Sequence, residues 1–175
     1  MHGHIQIVRA LTEAQADVNY ATSAYVGKPI FEGYTALLFA SNDGHAEVVK
    51  VLVSAGANVN HSSKDGFSAL IWACQEGRIR IVQALIEAQA DLNYAIPANI
   101  LMPDCKGLTA LVYASIKGYT NVVKALLDAN ADVFHTDSNG ATALDFAIEH
   151  KHAAIIDMLK AHIAQRDTKL EGSSK

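Results

Sequence analysis

The sequence predicts an all-α fold, an α-solenoid of stacked helix-turn-helix units joined by β-turn fingers, two of which are extended. The main observation is a pattern that opens as Gly-x-Thr/Ser-Ala-Leu and returns at Gly33, Gly66, Gly107 and Gly140, at spacings of 33, 41 and 33 residues. A period of this length is typical of stacked repeats. In addition, half of the 175 residues are hydrophobic and only 3 are Pro, a composition that excludes a disordered chain.

The first helix of each unit follows a hydroxyl residue. Thr35, Ser68, Thr109 and Thr142 each precede Ala-Leu and an apolar stretch. We expect these hydroxyls to cap the first helices by accepting a hydrogen bond from a backbone N–H two or three residues further on.

The second helix of each unit carries apolar residues at i, i+1, i+4 and i+5, a spacing that forms one buried stripe. In the last copy the fourth position is Lys160, which indicates the outer face of a C-terminal cap. The three full stripes are Val48, Val49, Leu52 and Val53; Ile81, Val82, Leu85 and Ile86; and Val122, Val123, Leu126 and Leu127.

Four landmarks recur in the same register: the Thr/Ser-Ala-Leu tripeptide, a turn containing Gly44, Gly77 or Gly118, the apolar run of the second helix, and a closing Ala-Asp/Asn-Val/Leu-Asn. In this register the chain resembles the ankyrin-repeat family over almost its whole length. The resemblance implies a non-catalytic scaffold for protein–protein interaction, working as a monomer and without a cofactor.

The resemblance divides the chain into a repeat array over residues 1–163 and a polar tail over 164–175. The array comprises a half repeat (1–19) and full repeats at about 20–60, 61–93, 94–134 and 135–163. The half repeat has two interpretations, a truncated array with sequence upstream or an improvised cap, and we favour the first. Glu13–Tyr20 and Glu87–Tyr94 are nearly identical, which indicates a duplicated block of two repeats.

This chain departs from the family pattern at two places. The histidine of the family's Thr-Pro-Leu-His motif is replaced by Leu38, Ile71, Val112 and Asp145, so we expect the bridging hydrogen bonds of that histidine to be absent and apolar stacking to hold the repeats together. The glycine expected after each second helix is kept only at Gly56, with Gln15, Gln89 and Asn130 in the other copies.

Eight extra residues lie in each of two fingers, after Asn19 and after Asn93. These fingers are apolar for surface loops. Two interpretations stay open, internal packing against the array or a projecting recognition patch. The apolar residues are Tyr25, Val26, Pro29, Ile30 and Phe31 in the first finger, and Ile96, Pro97, Ile100, Leu101, Met102 and Pro103 in the second.

An aromatic residue occupies one first-helix position in all four full repeats, at Phe39, Trp72, Tyr113 and Phe146. We favour core packing over an aromatic cage for a cation. In that case the polar atoms of Trp72 and Tyr113 should find hydrogen-bond partners.

Charge and motifs argue against several function classes. A net charge of -4 is unfavourable for a nucleic-acid binder, and the 8 histidines are too scattered for the converging ligands that zinc needs. No nucleophile or phosphate-loop motif is present, and we interpret Cys105 as an ordinary thiol. Without an apolar stretch long enough to span a membrane, the chain is expected to be cytoplasmic, with a secreted bacterial effector acting in a host cytosol as the alternative.

The resemblance also implies which residues bind a protein partner: finger residues, the residue after each finger glycine, and two residues at the end of each first helix. An alternative function is that of a targeting or autoinhibitory segment of a larger enzyme. The implied binding residues are Tyr25, Phe31, Tyr34, Asn42, Asp43, Lys64, Asp65, Phe67, Gln75, Glu76, Leu101, Met102, Cys105, Lys106, Leu108, Ile116 and Lys117.

Overall fold

The computed structural model describes residues 2–23, 31–98 and 105–172, with side chains from 5 to 166 within these ranges. In this part of the chain almost all regular structure is helical, which confirms the all-α prediction. The helices are α1 (His2–Glu13), α2 (Ala36–Asp43), α3 (Ala46–Ser54), α4 (Ala69–Gln75), α5 (Ile79–Glu87), α6 (Ala110–Lys117), α7 (Thr120–Asp128), α8 (Ala143–Glu149) and α9 (Ala153–Gly172).

The helices form two layers. The first helices of the repeats, α2, α4, α6 and α8, pack side by side in one layer, and the second helices, α1, α3, α5, α7 and α9, pack in the other. The core lies between the layers and includes the predicted stripes, with Val49, Val82, Leu85 and Val123 all fully buried. Each repeat therefore contributes one slice of a continuous core, as expected for a solenoid.

The predicted caps are present on all four first helices. Thr35, Ser68, Thr109 and Thr142 each accept a hydrogen bond from the backbone N–H three residues further on, at 3.3–3.4 Å. In the last repeat the cap is reciprocal, because Asp145 Oδ2 also accepts from the Thr142 backbone N–H at 2.8 Å. Asp145 thus completes a capping box at the helix start.

The chain leaves each of the first four second helices through a left-handed residue, whatever its type. The φ angles are 59° at Gln15, 86° at Gly56, 61° at Gln89 and 65° at Asn130. The repeat geometry therefore imposes a conformation that favours glycine even where the sequence has glutamine.

Apolar stacking is not the only interaction that holds the repeats together, because polar bridges also join them. Asparagine side chains at the end of one repeat accept the backbone N–H of the next, from Asn58 to Asn19 at 2.7 Å, from Asp91 to Asn60 at 2.8 Å and from Asp132 to Asn93 at 2.8 Å. We call this series the asparagine ladder. The donors of the ladder are backbone N–H groups, so the ladder does not depend on the histidine of the family motif.

A second series of bridges joins the fingers. The carbonyl oxygens of Gly33, Gly66 and Gly107 each lie within hydrogen-bond distance of a ring polar atom 28 residues later, in His61 (2.8 Å), Tyr94 (3.1 Å) and His135 (2.9 Å). Polar contacts therefore run parallel to the apolar core along the array.

The two ends of the array differ. At the N-terminal end Ile7 and Leu11 are 59% and 53% exposed, whereas at the C-terminal end Ile155 and Leu159 are buried. Lys160 is exposed, as expected for an outer face. Helix α9 runs to Gly172, beyond the predicted start of a polar tail at residue 164.

Candidate partner-binding groove

The ends of three first helices form a row of side chains that the packing of the array does not bury. Because α2, α4 and α6 lie side by side, the residues at their C-terminal ends, including Glu76 directly after α4, fall at equivalent places in neighbouring repeats. Asp43 and Lys117 are exposed and the other four residues are half-buried. We call these six residues the helix-end row: Asn42, Asp43, Gln75, Glu76, Ile116 and Lys117.

The two long fingers have bases of the same construction. In the first, the backbone N–H of Thr22 donates to Tyr34 and that of Gly33 donates to Thr22; in the second, Ile96 and Leu108 pair in the same way, with Gly107 donating to Ile96. The fingers are therefore anchored at equivalent places two repeats apart. Tyr25, Leu101 and Met102, three of the predicted binding residues, lie outside the described residues.

Neighbouring fingers are linked just before their glycines. The backbone N–H of Lys64 donates to the Glu32 carbonyl at 3.0 Å, and their side chains form an ion pair. The backbone N–H of Ser138 donates to the Lys106 carbonyl at 3.3 Å. The backbones of Lys64 and Lys106 are therefore fixed, so less conformational entropy is lost there when a partner binds.

Asp65 lies at the tip of the short finger and is held by two hydroxyl groups. Its carboxylate accepts hydrogen bonds from Tyr34 Oη at 2.9 Å and from the Ser63 hydroxyl. Burial and this contact with Asp65 together raise the pKa of Tyr34 above its ordinary value. The sequence indicated Asp65 only as a finger residue, and the signal that was missed is a serine two positions before it in a tight turn.

Six aromatic rings form one continuous cluster across the first three full repeats. Phe67 stacks on Trp72 with ring centroids 4.5 Å apart and contacts Tyr113 at 5.9 Å. Tyr34 lies 5.1 Å from Phe39 and 6.3 Å from Trp72. We call this the aromatic cluster, and it consists of Phe31, Tyr34, Phe39, Phe67, Trp72 and Tyr113.

The structure buries three predicted binding residues, those that follow the finger glycines. Tyr34, Phe67 and Leu108 are only 4%, 4% and 5% exposed. Tyr34 and Phe67 are enclosed by rings of their own and the next repeat. These three residues therefore belong to the packing of the array, whereas Phe31 is 46% exposed.

Several polar atoms of the first helices are buried without a hydrogen-bond partner among the described residues. They are Trp72 Nε1, Gln75 Oε1, Tyr113 Oη and Ser41 Oγ. The prediction that Trp72 and Tyr113 find hydrogen-bond partners stays a prediction, since the Trp72 indole lies beside the Tyr34 hydroxyl and the Tyr113 hydroxyl lies beside Cys105. Burial raises the pKa of Tyr113 above its ordinary value, and the neighbouring Cys105 raises it further.

Unpaired groups of this kind destabilise the fold, because a buried donor or acceptor without a partner costs about 1–3 kcal/mol of folding free energy. They lie on α2, α4 and α6, close to the aromatic cluster and the helix-end row.

The charges along the groove are not mixed evenly. Asp43, Asp65 and Glu76 place carboxylates on the first two full repeats, whereas Lys106 and Lys117 place amines on the third. The described residues contain no ion pair that neutralises any of these five groups. The groove is therefore acidic at one end and basic at the other.

Metal ligands, membrane-spanning helices and thiols are three further features by which a functional site could be recognised. Residues 5–23, 31–98 and 105–166 contain no group of three or more His, Cys, Asp or Glu side chains that could hold a metal ion. None of the described helices is long and apolar enough to cross a membrane. Cys74 is buried and Cys105 is half-buried, and both are free thiols.

A two-layered helical solenoid with linked fingers and a row of partly exposed helix ends belongs to the class of repeat proteins that use an extended surface rather than a closed pocket. The family model described as ankyrin repeats (3 copies) matches residues 1–96 and 93–169. The chain belongs to the ankyrin-repeat family. Ankyrin repeats are generally protein–protein interaction modules, and the family is typically non-catalytic.

Proposed function

We propose that this chain binds a protein partner across the helix-end row and the finger tips, with the aromatic cluster as a rigid floor. The observation that carries the proposal is the helix-end row itself, in which Asp43, Glu76 and Lys117 have no ion-pair partner among the described residues. A partner with complementary charges along this row would pair with these groups.

The charge distribution suggests the chemistry of the partner. A segment that lies along the groove would place a basic side chain against Asp43 and Glu76, and an acidic side chain against Lys106 and Lys117. Such complementarity fixes the direction of the segment and raises the rate of association. Phe31, exposed at the groove edge beside Tyr34, offers an aromatic anchor of the type that dominates interface energetics.

A matched pair of charge-reversal variants tests this assignment. Asp43→Lys with Glu76→Lys reverses the groove charge, whereas Asp157→Lys with Glu87→Lys makes the same change on α9 and α5, where both residues are exposed. A photo-crosslinking amino acid at Asn42 captures the partner for identification, and its affinity is then measured for both variants. We expect the groove variant to lose about 2 kcal/mol or more of binding free energy, as truncated hot spots do.

The control variant should bind within about 0.5 kcal/mol of the unmodified protein, because surface changes away from an interface have small effects. Both variants should keep the same unfolding midpoint. Equal losses in the two variants would place the partner elsewhere, since a general charge effect would then explain the result.

A further inference from the structure

The finger that ends at Gly140 carries Asn139 directly before that glycine, and no other asparagine of the sequence precedes a glycine. Ser138, Asn139 and Gly140 are all exposed. A Cβ placed on Gly140 would meet no atom of the described structure within 4 Å apart from its chain neighbours, whereas one on Gly107 would lie 2.9 Å from Asp137 Cα. The pair Asn139-Gly140 is therefore open to water, unlike the glycine of the preceding finger.

An asparagine side chain can react with the backbone nitrogen of the residue that follows it. That nitrogen loses its proton to hydroxide and attacks Cγ, which closes a cyclic imide while the side-chain nitrogen takes a proton from water and leaves as ammonia. Water then opens the ring at either carbonyl and gives aspartate or isoaspartate. Glycine favours the attack most, because it has no Cβ in the way and the widest choice of backbone angles.

Asp137 holds both reacting groups in the folded turn. The backbone N–H of Gly140 donates to the Asp137 carbonyl at 3.1 Å, and Asn139 Nδ2 donates to Asp137 Oδ2 at 3.3 Å. Asp137 Oδ1 accepts the backbone N–H groups of Asn139 and Ala141 at 2.9 and 2.8 Å. The attack requires the Gly140 nitrogen to lose its proton and the Asn139 amide to swing toward it, so the first two hydrogen bonds must break.

We propose that Asn139 is a site of spontaneous modification, at which its side-chain amide is converted to aspartate and isoaspartate, and that Asp137 slows this conversion in the folded finger. Water is the only reagent consumed and ammonia is released, with no change of oxidation state. The conversion needs neither an enzyme nor a binding partner, so it is independent of the proposed function.

Both products weaken the turn that slows their formation. Aspartate at position 139 places a second negative charge beside the Asp137 carboxylate, where the asparagine amide donates, and like charges at this distance repel. Isoaspartate lengthens the main chain by one carbon and so moves the Gly140 N–H away from the Asp137 carbonyl. Because the neighbouring Ser138 N–H donates to the Lys106 carbonyl, the contact between the two fingers loosens as well.

Peptide mapping by mass spectrometry, after incubation of the full chain in mildly alkaline buffer, tests the proposal. Asn121 is the internal reference, because it is exposed and precedes Val122, whose branched side chain hinders the ring closure. We expect Asn139 to convert at least about ten-fold faster than Asn121 and to give both isomers. Conversion no faster than that of Asn121, or aspartate as the only product, would overturn the proposal.

The variant Asp137→Ala tests the restraint. It should speed the conversion of Asn139 by at least about three-fold, since it removes a hydrogen bond that holds the amide, and it should leave the rate at Asn121 unchanged. An unchanged rate at Asn139 would overturn the role of Asp137. If the substitution unfolded the chain, both asparagines would convert faster; Asp137→Ser, which keeps a hydroxyl acceptor for the turn, then takes its place with the same expected results.

Discussion

At the scale of single residues, the positions after the second helices combine a left-handed backbone with residues that do not all favour it. Gln89 has a φ of 61° and the equivalent Gly56 has 86°. A residue with a Cβ destabilises the fold by about 1–2 kcal/mol in this conformation. Glycine avoids that strain but costs about 0.5–1 kcal/mol of stability, because it has extra freedom in the unfolded chain. The first cost is the larger, so glycine should be the better residue at both places.

Replacing Gln89 with glycine should therefore stabilise the protein by about 0.5–1 kcal/mol. Gln89 is exposed, so the change removes little packing. The difference is measured as a shift of the urea midpoint at constant slope. The reverse change, Gly56→Gln, should destabilise by a similar amount, and a stabilising effect of that change would contradict the argument.

Single residues also show which contacts can be predicted from the sequence: local ones can, and contacts between distant residues cannot. The cap formed by Thr35 could be predicted, because it depends on a backbone N–H three residues away. The burial of Tyr34 could not, because it depends on Asp65, 31 residues later, and on the ring of Trp72 in the next repeat. A position that the family uses for binding is closed here by aromatic residues that only the packed repeats bring together.

At the scale of helices and their caps, α8 differs from the other first helices because an acidic residue completes its start. Hydrogen bonds from the Thr142 side chain and backbone lower the pKa of Asp145 below its ordinary value. A carboxylate with a lowered pKa in the folded state contributes stability at neutral pH. That contribution is lost as the pH falls through the range in which the carboxylate is protonated.

The variant Asp145→Asn should therefore melt at a lower temperature than the unmodified protein at pH 7, and the difference should shrink below about pH 4, near the ordinary pKa of aspartate. Asp157→Asn is the matched control, since Asp157 is exposed on α9. The measurement is the melting temperature of each protein from pH 3 to pH 7. A difference that stays constant across this range would show that the charge of Asp145 has no part in the cap.

At the scale of the whole molecule, the register of the repeats could be read from the sequence because every repeat carries the same landmarks. That register also predicted the stacked pairs of helices and the charged outer face at Lys160. The asparagine ladder was not predicted, although Asn19, Asn60 and Asn93 were among the landmarks, because the motif gives no sign of what its side chain accepts. The paths of the long fingers stay a prediction, as their tips lie outside the described residues.

Because each repeat contacts only its neighbours, the position of a residue in the array should decide how much it contributes to stability. Leu11 and Leu85 test this within one chain, as equivalent residues of equivalent helices that are 53% and 0% exposed. Leu85→Ala leaves a cavity between two layers and should cost about 2–5 kcal/mol. Leu11→Ala removes a side chain that is already half in water and should cost less than about 1 kcal/mol.

Urea unfolding of both variants under identical conditions gives the two losses. Leu126→Ala, in the next repeat and equally buried, should match Leu85→Ala and so shows that burial rather than the particular repeat sets the size of the effect. If Leu11→Ala lowered the free energy of unfolding as much as Leu85→Ala, Leu11 would have to be covered in solution, and the apolar stripe on α1 would not be exposed in the free protein.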